Sequence, residues 1–438
     1  MTRLAGWGRT PAATASVVAP ASEDEVVELL ARGPLCARGL GRSYGDAAQL
    51  AGGTVADLTG LDEIGPIDES GGVTLGAGAS IDALLAVSLP QGWFVPVTPG
   101  TRQVTLGGAV AADVHGKNHH RDGSFAAHVD GLRLATPRGV FDLSAAVDPD
   151  LFWATVGGMG LTGVLTRVRL RLLRVESDVV LVDTDRYDDL DAVMAAMVEG
   201  DERYRYSVAW VDCTARGART GRAVLTRGDH APAGATPPRA PRAGRLGVPV
   251  VAPPGLLNRL SVRAFNEAWF RRAPRHALEE PHSLGAFFHP LDGVADWNRL
   301  YGPRGFVQYQ FVVPDAAGDT VRHVVERLAR SGLVSFLAVL KRFGPGDPGP
   351  LSFPMAGWTL ALDLPVGADS LPAELDALDE LVLRAGGRVY LAKDARLAPA
   401  KVAAMYPRLE EWRAVRARVD PEGVLVSDLA RRLHLVGR

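Results

Sequence analysis

The sequence predicts a soluble α+β protein of two domains, on three observations. At 438 residues the chain is long enough for two cores. Capped helices and short strands alternate through its first 170 residues, and strong strand patterns return after residue 300. Apolar residues make up 47% and charged residues 22%, the balance of an ordinary globular chain. The net charge of -2 supplies no general attraction to nucleic acid. The two cysteines, Cys36 and Cys213, are too far apart in sequence for a disulfide framework or a cysteine zinc site. No signal-peptide core and no membrane-length apolar run is seen, so a cytoplasmic protein is expected.

After Ala15-Ser-Val-Val-Ala, the run Ser22-Glu-Asp-Glu25 stands ahead of Val26, Val27, Leu29 and Leu30. It predicts a strand-to-helix step, because the serine can cap free N–H groups while a glutamate reaches back. Strands are expected at 34–37, 53–58, 72–78 and 93–97, with a helix over 81–88. In VLTRVRLRL, Thr166, Val168, Leu170 and Leu172 alternate with Arg167, Arg169 and Arg171, a half-exposed strand. Leu190, Val193, Met194, Met197 and Val198 make one helical stripe closed by Gly200. The stretch from His230 to Asn266 is rich in Pro, Ala and Gly and holds five arginines and no acid. It predicts a long flexible loop, about 229–262. Strands follow at 305–314, 335–340 and 358–364, and a helix at 407–419.

Three glycine turns stand out: RGLGRSYGD (38–46), PGTRQVTLGG (99–108) and GGMGLTG (157–163). The first has the spacing G-x-G-x-x-x-G and no βαβ continuation, a poor Rossmann fingerprint. Glycines nevertheless let backbone N–H groups close on a phosphate, and three such turns at strand ends suit one extended dinucleotide. The HGKNHH cluster behind the second turn leaves three readings open. It is a metal site built on His115 and His119, a structural histidine cluster, or the wall of a cofactor pocket.

In this order RGLGRSYGD, VTPGTRQVTLGGAVAADVHGKNHH and GGMGLTGV resemble the PCMH-type FAD-binding domain of the vanillyl-alcohol oxidase superfamily. YSVAW, LKRFGP, LSFP, YLAKDAR and AMYPR closely resemble the branch of that superfamily that oxidises lipid-linked ribose in actinobacterial arabinan (cell-wall) synthesis. The resemblance implies an FAD-binding domain in two parts, 1–176 and 388–438. Residues 177–387 would then form a substrate domain with an antiparallel β-sheet flanked by helices. It assigns FAD contacts to Arg38, Gly39, Leu40, Gly41, Arg42, Ser43, Tyr44 and Gly45, then to Gly100, Thr105, Gly107, Gly108, Ala112, Asp113 and His115, and finally to Val164 and Tyr390. Many superfamily members bond the flavin through a histidine in the first turn. That slot falls on Arg42 here, so noncovalent FAD is expected.

The same resemblance makes Lys393 the base beside the reacting hydroxyl and puts His115 next to the flavin. It places Lys117, Trp210, Phe288, Gln308, Gln310, Lys341, Thr359 and Ala361 around the substrate, and no metal. Apolar neighbours of Lys393 would lower its pKa toward a useful range. Taken by itself, Lys393 reads rather as a surface lysine paired with Asp394. Gln308 and Gln310 lie two apart on one strand and so face one side. Three positions depart from the branch: Ala361 replaces a cysteine, Thr359 an asparagine and Phe288 a tyrosine. The expected reaction is oxidation of the C2 hydroxyl of a polyprenyl-phosphate-linked β-D-ribose to a 2-keto sugar, the first half of epimerisation to the arabinose. An NAD(P)H-dependent keto-reductase would be the partner, and the arginine-rich loop suits peripheral membrane contact. The alternatives are an oxidase of another sugar, alditol or specialised metabolite, and a noncatalytic flavin-binding protein.

Overall fold

The computed structural model describes residues 1–235 and 246–436. Among the described residues three sheets of four or more strands carry the chain, beside two two-stranded pairs. In the first, Thr2–Ala5, Ala12–Val18, Thr54–Asp57 and Leu35–Arg38 lie side by side in that order, and Thr54–Asp57 is parallel to both its neighbours. The helix Glu23–Leu30 makes the crossover. Ser22 accepts from the Glu25 N–H, as the capping pattern predicts, while the Glu25 carboxylate reaches one residue further back than the full box would, to the Ala21 N–H at 2.9 Å. The second sheet is antiparallel, ordered Gly72–Gly76, Val164–Arg171, Val129–Thr136 and Gly139–Leu143. Along Val164–Arg171 the even positions are buried, while Arg167, Arg169 and Arg171 meet Glu63, Asp68 and Asp130 in exposed ion pairs. These add little stability. Each buried Val or Leu on the inner face contributes about 1.5–3 kcal/mol.

The third sheet has eight strands, all antiparallel. Their order is His276–Ser283, Val179–Tyr187, Ala223–His230, Tyr206–Val211, Ala338–Phe343, Gly357–Pro365, Phe306–Val313 and Arg388–Val389. The helices Leu190–Gly200, Asp319–Ser331 and Leu371–Arg384 bury their apolar stripes against it. Period-two alternation then decides what the two faces hold. Tyr309, Phe311 and Val313 join the core, whereas Gln308 and Gln310 point to the opposite face.

After the last strand the chain returns to its beginning. Val426 N donates to Leu35 O, Trp412 Nε1 donates to Ala154 O at 2.9 Å, and Tyr44 N donates to Ala392 O. Gly45 permits this return: a Cβ there would lie 1.9 Å from the carbonyl oxygen of Asp394. The glycine turns and the segment bearing Lys393 are thereby fixed to one another.

Some elements differ from expectation. The strand expected over 93–97 stops at Phe94, two residues before Pro96, which has no N–H to donate. The strand expected at 335–340 lies at Ala338–Phe343; Ser335 Oγ instead donates to Leu337 O. The loop expected over 229–262 is only partly a loop. A strand runs to His230, Leu246–Gly247 pairs with Val294–Ala295, and Arg259–Arg272 is a 14-residue helix. Asn258 and Ser261 form a capping box that starts that helix, a signal hidden behind the preceding prolines. Residues 236–245 of the expected loop lie outside the described residues. No helix among the described residues is long and apolar enough to cross a membrane.

Candidate active site

A single cavity of about 1020 Å³ lies between the glycine turns and the open face of the eight-stranded sheet. That is at the upper end of the roughly 300–1,000 Å³ usual for cofactor and small-molecule sites. One wall is mainly backbone, from Arg38 to Tyr44, Thr98 to Thr105, Gly107, Gly108, Gly160 and Gly163. Its two first turns touch at Gly39, where a Cβ would come 2.2 Å from Thr105 Oγ1. Thr105 itself caps the next turn by accepting from Gly108 N at 3.2 Å. Any side chain at position 39 therefore forces the turns apart.

The facing wall is built of side chains in strand register. Trp210 stands opposite Val339, Val339 opposite Ala361, and Ala361 opposite Gln310, one row across four strands. Trp210 is fixed by its Nε1, which donates to Phe336 O at 3.0 Å. Gln308 donates to buried Asp363. Gln310 donates to Thr359 Oγ1 at 3.2 Å, and its amide lies 2.9 Å from His115 Nε2.

His115 joins the two walls. Its Nδ1 is 2.9 Å from Lys341 Nζ, so both ring nitrogens are engaged by protein groups. Burial and then the Lys341 charge hold its pKa well below the usual histidine value, so the ring is neutral. His115 lines the cavity with both ring nitrogens engaged by protein groups, the pocket-wall arrangement among the three readings of the HGKNHH segment. His119 lies outside the cavity wall and packs at a tilt against Phe343, 4.4 Å between ring centroids.

Three lysines enter the same cavity, Lys117, Lys341 and Lys393. Burial pulls Lys117 and Lys341 each down to about 7. It also lowers Lys393 strongly, against the counter-pull of Asp363, whose own carboxyl is raised by burial. The Lys393 amine lies 3.9 Å from the centre of the Tyr44 ring, over its face. Asp394 is not its partner; that carboxylate accepts from the N–H groups of Arg396 and Leu397 and meets Arg432. Of the 48 basic residues only four are lysines, and three of the four are here. Arginine cannot shed its proton near neutral pH, whereas a buried lysine can. The scarcity of lysine is a further sequence signal for this cluster, beside the motifs that carry its three members.

Four of the expected site residues stand outside the cavity wall. Val164 is fully buried in a small core with Val26 and Leu30; Gly160, Gly163 and Leu165 line the cavity in its place. Gly45 packs behind the first turn. Thr359 lies beneath Gln310 and acts on the wall only through it. Asp113, with φ of 40°, accepts from Ser352 Oγ and fixes the bend that carries His115. The other expected residues, Phe288 and Tyr390 included, line the cavity. So do Val208, Val339, Phe265, Trp269 and Asp292, which sequence reasoning missed because apolar strand residues and a loop acid carry no motif.

Comparison with known proteins now bears on this architecture. The family model "FAD binding domain" matches residues 14–144, and "D-arabinono-1,4-lactone oxidase" matches residues 375–433. The decaprenylphosphoryl-beta-D-ribose oxidase of Mycolicibacterium smegmatis is 43% identical over 99% of this chain and 98% of its own length. The chain belongs to the decaprenylphosphoryl-β-D-ribose oxidase family. It is an FAD-dependent oxidoreductase. An uncharacterised protein of Streptomyces coelicolor is 44% identical over 81% of this chain and all of its own length. The L-gulono-1,4-lactone dehydrogenase of Mycobacterium tuberculosis is 23% identical over 97% of each chain.

The residues present fit the FAD of this oxidase family. The backbone wall has no side chain at Gly39, Gly41, Gly107 or Gly108 and a buried Arg42 Nε without a partner among the described residues. A backbone cradle carrying an uncommitted guanidinium suits a pyrophosphate. Arg42 stacks over Trp7 at 4.0 Å, and the first turn, 38–45, contains neither histidine nor cysteine.

Proposed function

We propose that this chain oxidises the C2 hydroxyl of a polyprenyl-phosphate-linked β-D-ribose to the 2-keto sugar, using FAD held without a covalent bond. The observation that carries the proposal is the set of desolvated lysines, with neutral His115, gathered where the backbone wall meets the side-chain wall. Bound FAD supplies the acceptor for the hydride leaving C2. The rest falls to the protein. Lys393, neutral because burial lowers its pKa, takes the hydroxyl proton as the C2–H bond breaks. Gln308 and Gln310, each fixed by a protein partner, orient the sugar hydroxyls. Lys117 and Lys341 offer a lipid-linked sugar phosphate positive charge whenever they hold their protons. The relative's name supports ribose linked to a polyprenyl phosphate. A ketone product requires a reducing partner, and an NAD(P)H-dependent keto-reductase would complete the inversion at C2. The site of action would be cytoplasmic, at the membrane face where such lipids lie.

One observation favours a second reading. Ala361 occupies the middle of the substrate row with a methyl group, so the floor holds no hydrogen-bonding group between Val339 and Gln310. Another sugar or sugar lactone then becomes the competing substrate. Anaerobic mixing of purified protein with lipid-linked ribose, free sugars and sugar lactones separates the two. Loss of the oxidised-flavin absorbance with lipid-linked ribose alone supports the proposal. Loss only with a free sugar or lactone replaces it.

A further inference from the structure

Helix Arg259–Arg272 exposes side chains beyond the two that line the active-site cavity. At 100° per residue, Val262, Asn266 and Phe270 share its buried side. Leu260, Arg271, Ala264 and Ala268 lie on the opposite arc, and Arg272, Phe265 and Trp269 follow on round the helix toward the buried side. Leu260 is 80% exposed, Phe265 45% and Trp269 46%. The last two are the only exposed large aromatic side chains among the described residues. Val250, Val251 and Leu256, just before the helix in sequence, are exposed as well.

The helix is a ridge between two hollows. On one flank Phe265 and Trp269 are part of the wall of the active-site cavity. On the other, Arg216, Arg219, Arg259 and Arg263 line a depression of about 190 Å³. None of these four arginines makes a salt bridge among the described residues. The depression's two acids, Asp212 and Glu267, are both taken by Arg222, and Glu267 also meets Arg271. Residues 236–245, outside the described part, contain no Asp or Glu.

We propose that this ridge docks on the surface of an anionic phospholipid bilayer. The exposed apolar side chains enter the headgroup boundary, and the arginines among and beside them hold lipid phosphates. A helix that exposes leucine and aromatic side chains interspersed with arginines is a form such contacts take. A second copy of the chain fits less well, because a two-fold contact would set the arginine rim against itself. Docking would open the cavity toward the bilayer past Phe265 and Trp269, letting a polyprenyl tail stay in lipid while its sugar enters. That purpose rests on the proposed substrate, but vesicle binding is measured without any substrate. The two ideas can therefore fail separately.

The test is sedimentation of the full-length FAD-loaded protein with phosphatidylcholine vesicles, with and without phosphatidylglycerol, at low and high salt. Retention is expected on the anionic vesicles only, and weaker at high salt. Leu260→Glu and Arg263→Glu should each lower that retention roughly tenfold. Both should keep wild-type flavin content and wild-type flavin reduction by a short-chain, water-soluble substrate analogue. Val147→Glu, an exposed apolar position in the Ser144–Pro149 turn, serves as control and should bind like wild type. Three results overturn the proposal: no retention of wild type on anionic vesicles, equal retention of the two ridge variants, or a ridge-dependent dimer in gel filtration with no vesicle binding.

Discussion

The two walls of the active site are made in different ways. The cofactor wall is backbone, drawn from three glycine turns within the first 163 residues and closed by a segment near residue 392. The substrate wall is a row of side chains from four strands between residues 206 and 365. Backbone cradles tolerate no addition, whereas a row of side chains can be altered one position at a time. This chain keeps the first wall free of side chains where the turns approach, and places small Ala361 in the middle of the second. The contrast teaches where function is fixed and where it is free to drift: cofactor use follows from close approach of main chain, substrate choice from exchangeable side chains.

The largest expected effect comes from breaking the backbone wall. Gly39→Val drives a branched side chain into Thr105, and such overpacking costs about 1–3 kcal/mol or more. The purified variant should lack bound flavin, seen as loss of visible absorbance, while retaining the eight-stranded sheet by circular dichroism. Full flavin content would show that the turns do not need their contact.

Next comes the junction of the walls. Lys393→Ala should bind FAD normally but reduce it about 10²–10⁴-fold more slowly in stopped-flow mixing with substrate. An unchanged rate would remove Lys393 as the base. The pH profile follows from the direction of its shift. Burial lowers the folded pKa from the ordinary 10.5, and only the neutral amine accepts a proton. The reduction rate should thus fall as pH drops through that lowered value and be level above it. A rise only near pH 10.5 would mean the amine is not desolvated.

Smaller effects should come from the substrate wall. Thr359→Val removes one hydrogen bond to Gln310, worth about 1 kcal/mol. It should raise KM several-fold with little change in FAD content. No effect is expected from nitroaromatic compounds that trap a pocket cysteine. Position 361 is alanine, and the thiols of Cys36 and Cys213 are buried with pKa values pushed upward. Intact-mass spectrometry should show no stable adduct on wild type and one on Ala361→Cys.

Much of the cofactor wall was legible in the sequence, because a glycine needed for close approach leaves a visible mark. Val164 was the exception: its neighbours face the cavity and it faces the core, a one-residue alternation that a turn obscures. The substrate wall was less legible. Gln308 and Gln310 could be paired from their spacing, but their row with Ala361, Val339 and Trp210 depends on register between distant strands. Thr359 looked like a wall residue and is a support beneath one. The helix at Arg259–Arg272 was missed because proline and alanine before it outweighed a two-residue cap. Asp113 shows the remaining limit, since nothing local tells that a buried carboxyl holds the bend that aims His115.

The most direct test of the account is anaerobic single-turnover reduction of the bound FAD by polyprenyl-phosphoryl ribose. The account predicts that the flavin bleaches in wild type and that a 2-keto sugar is released. A flavin that stays oxidised with this substrate, while a free sugar or lactone bleaches it, would contradict it.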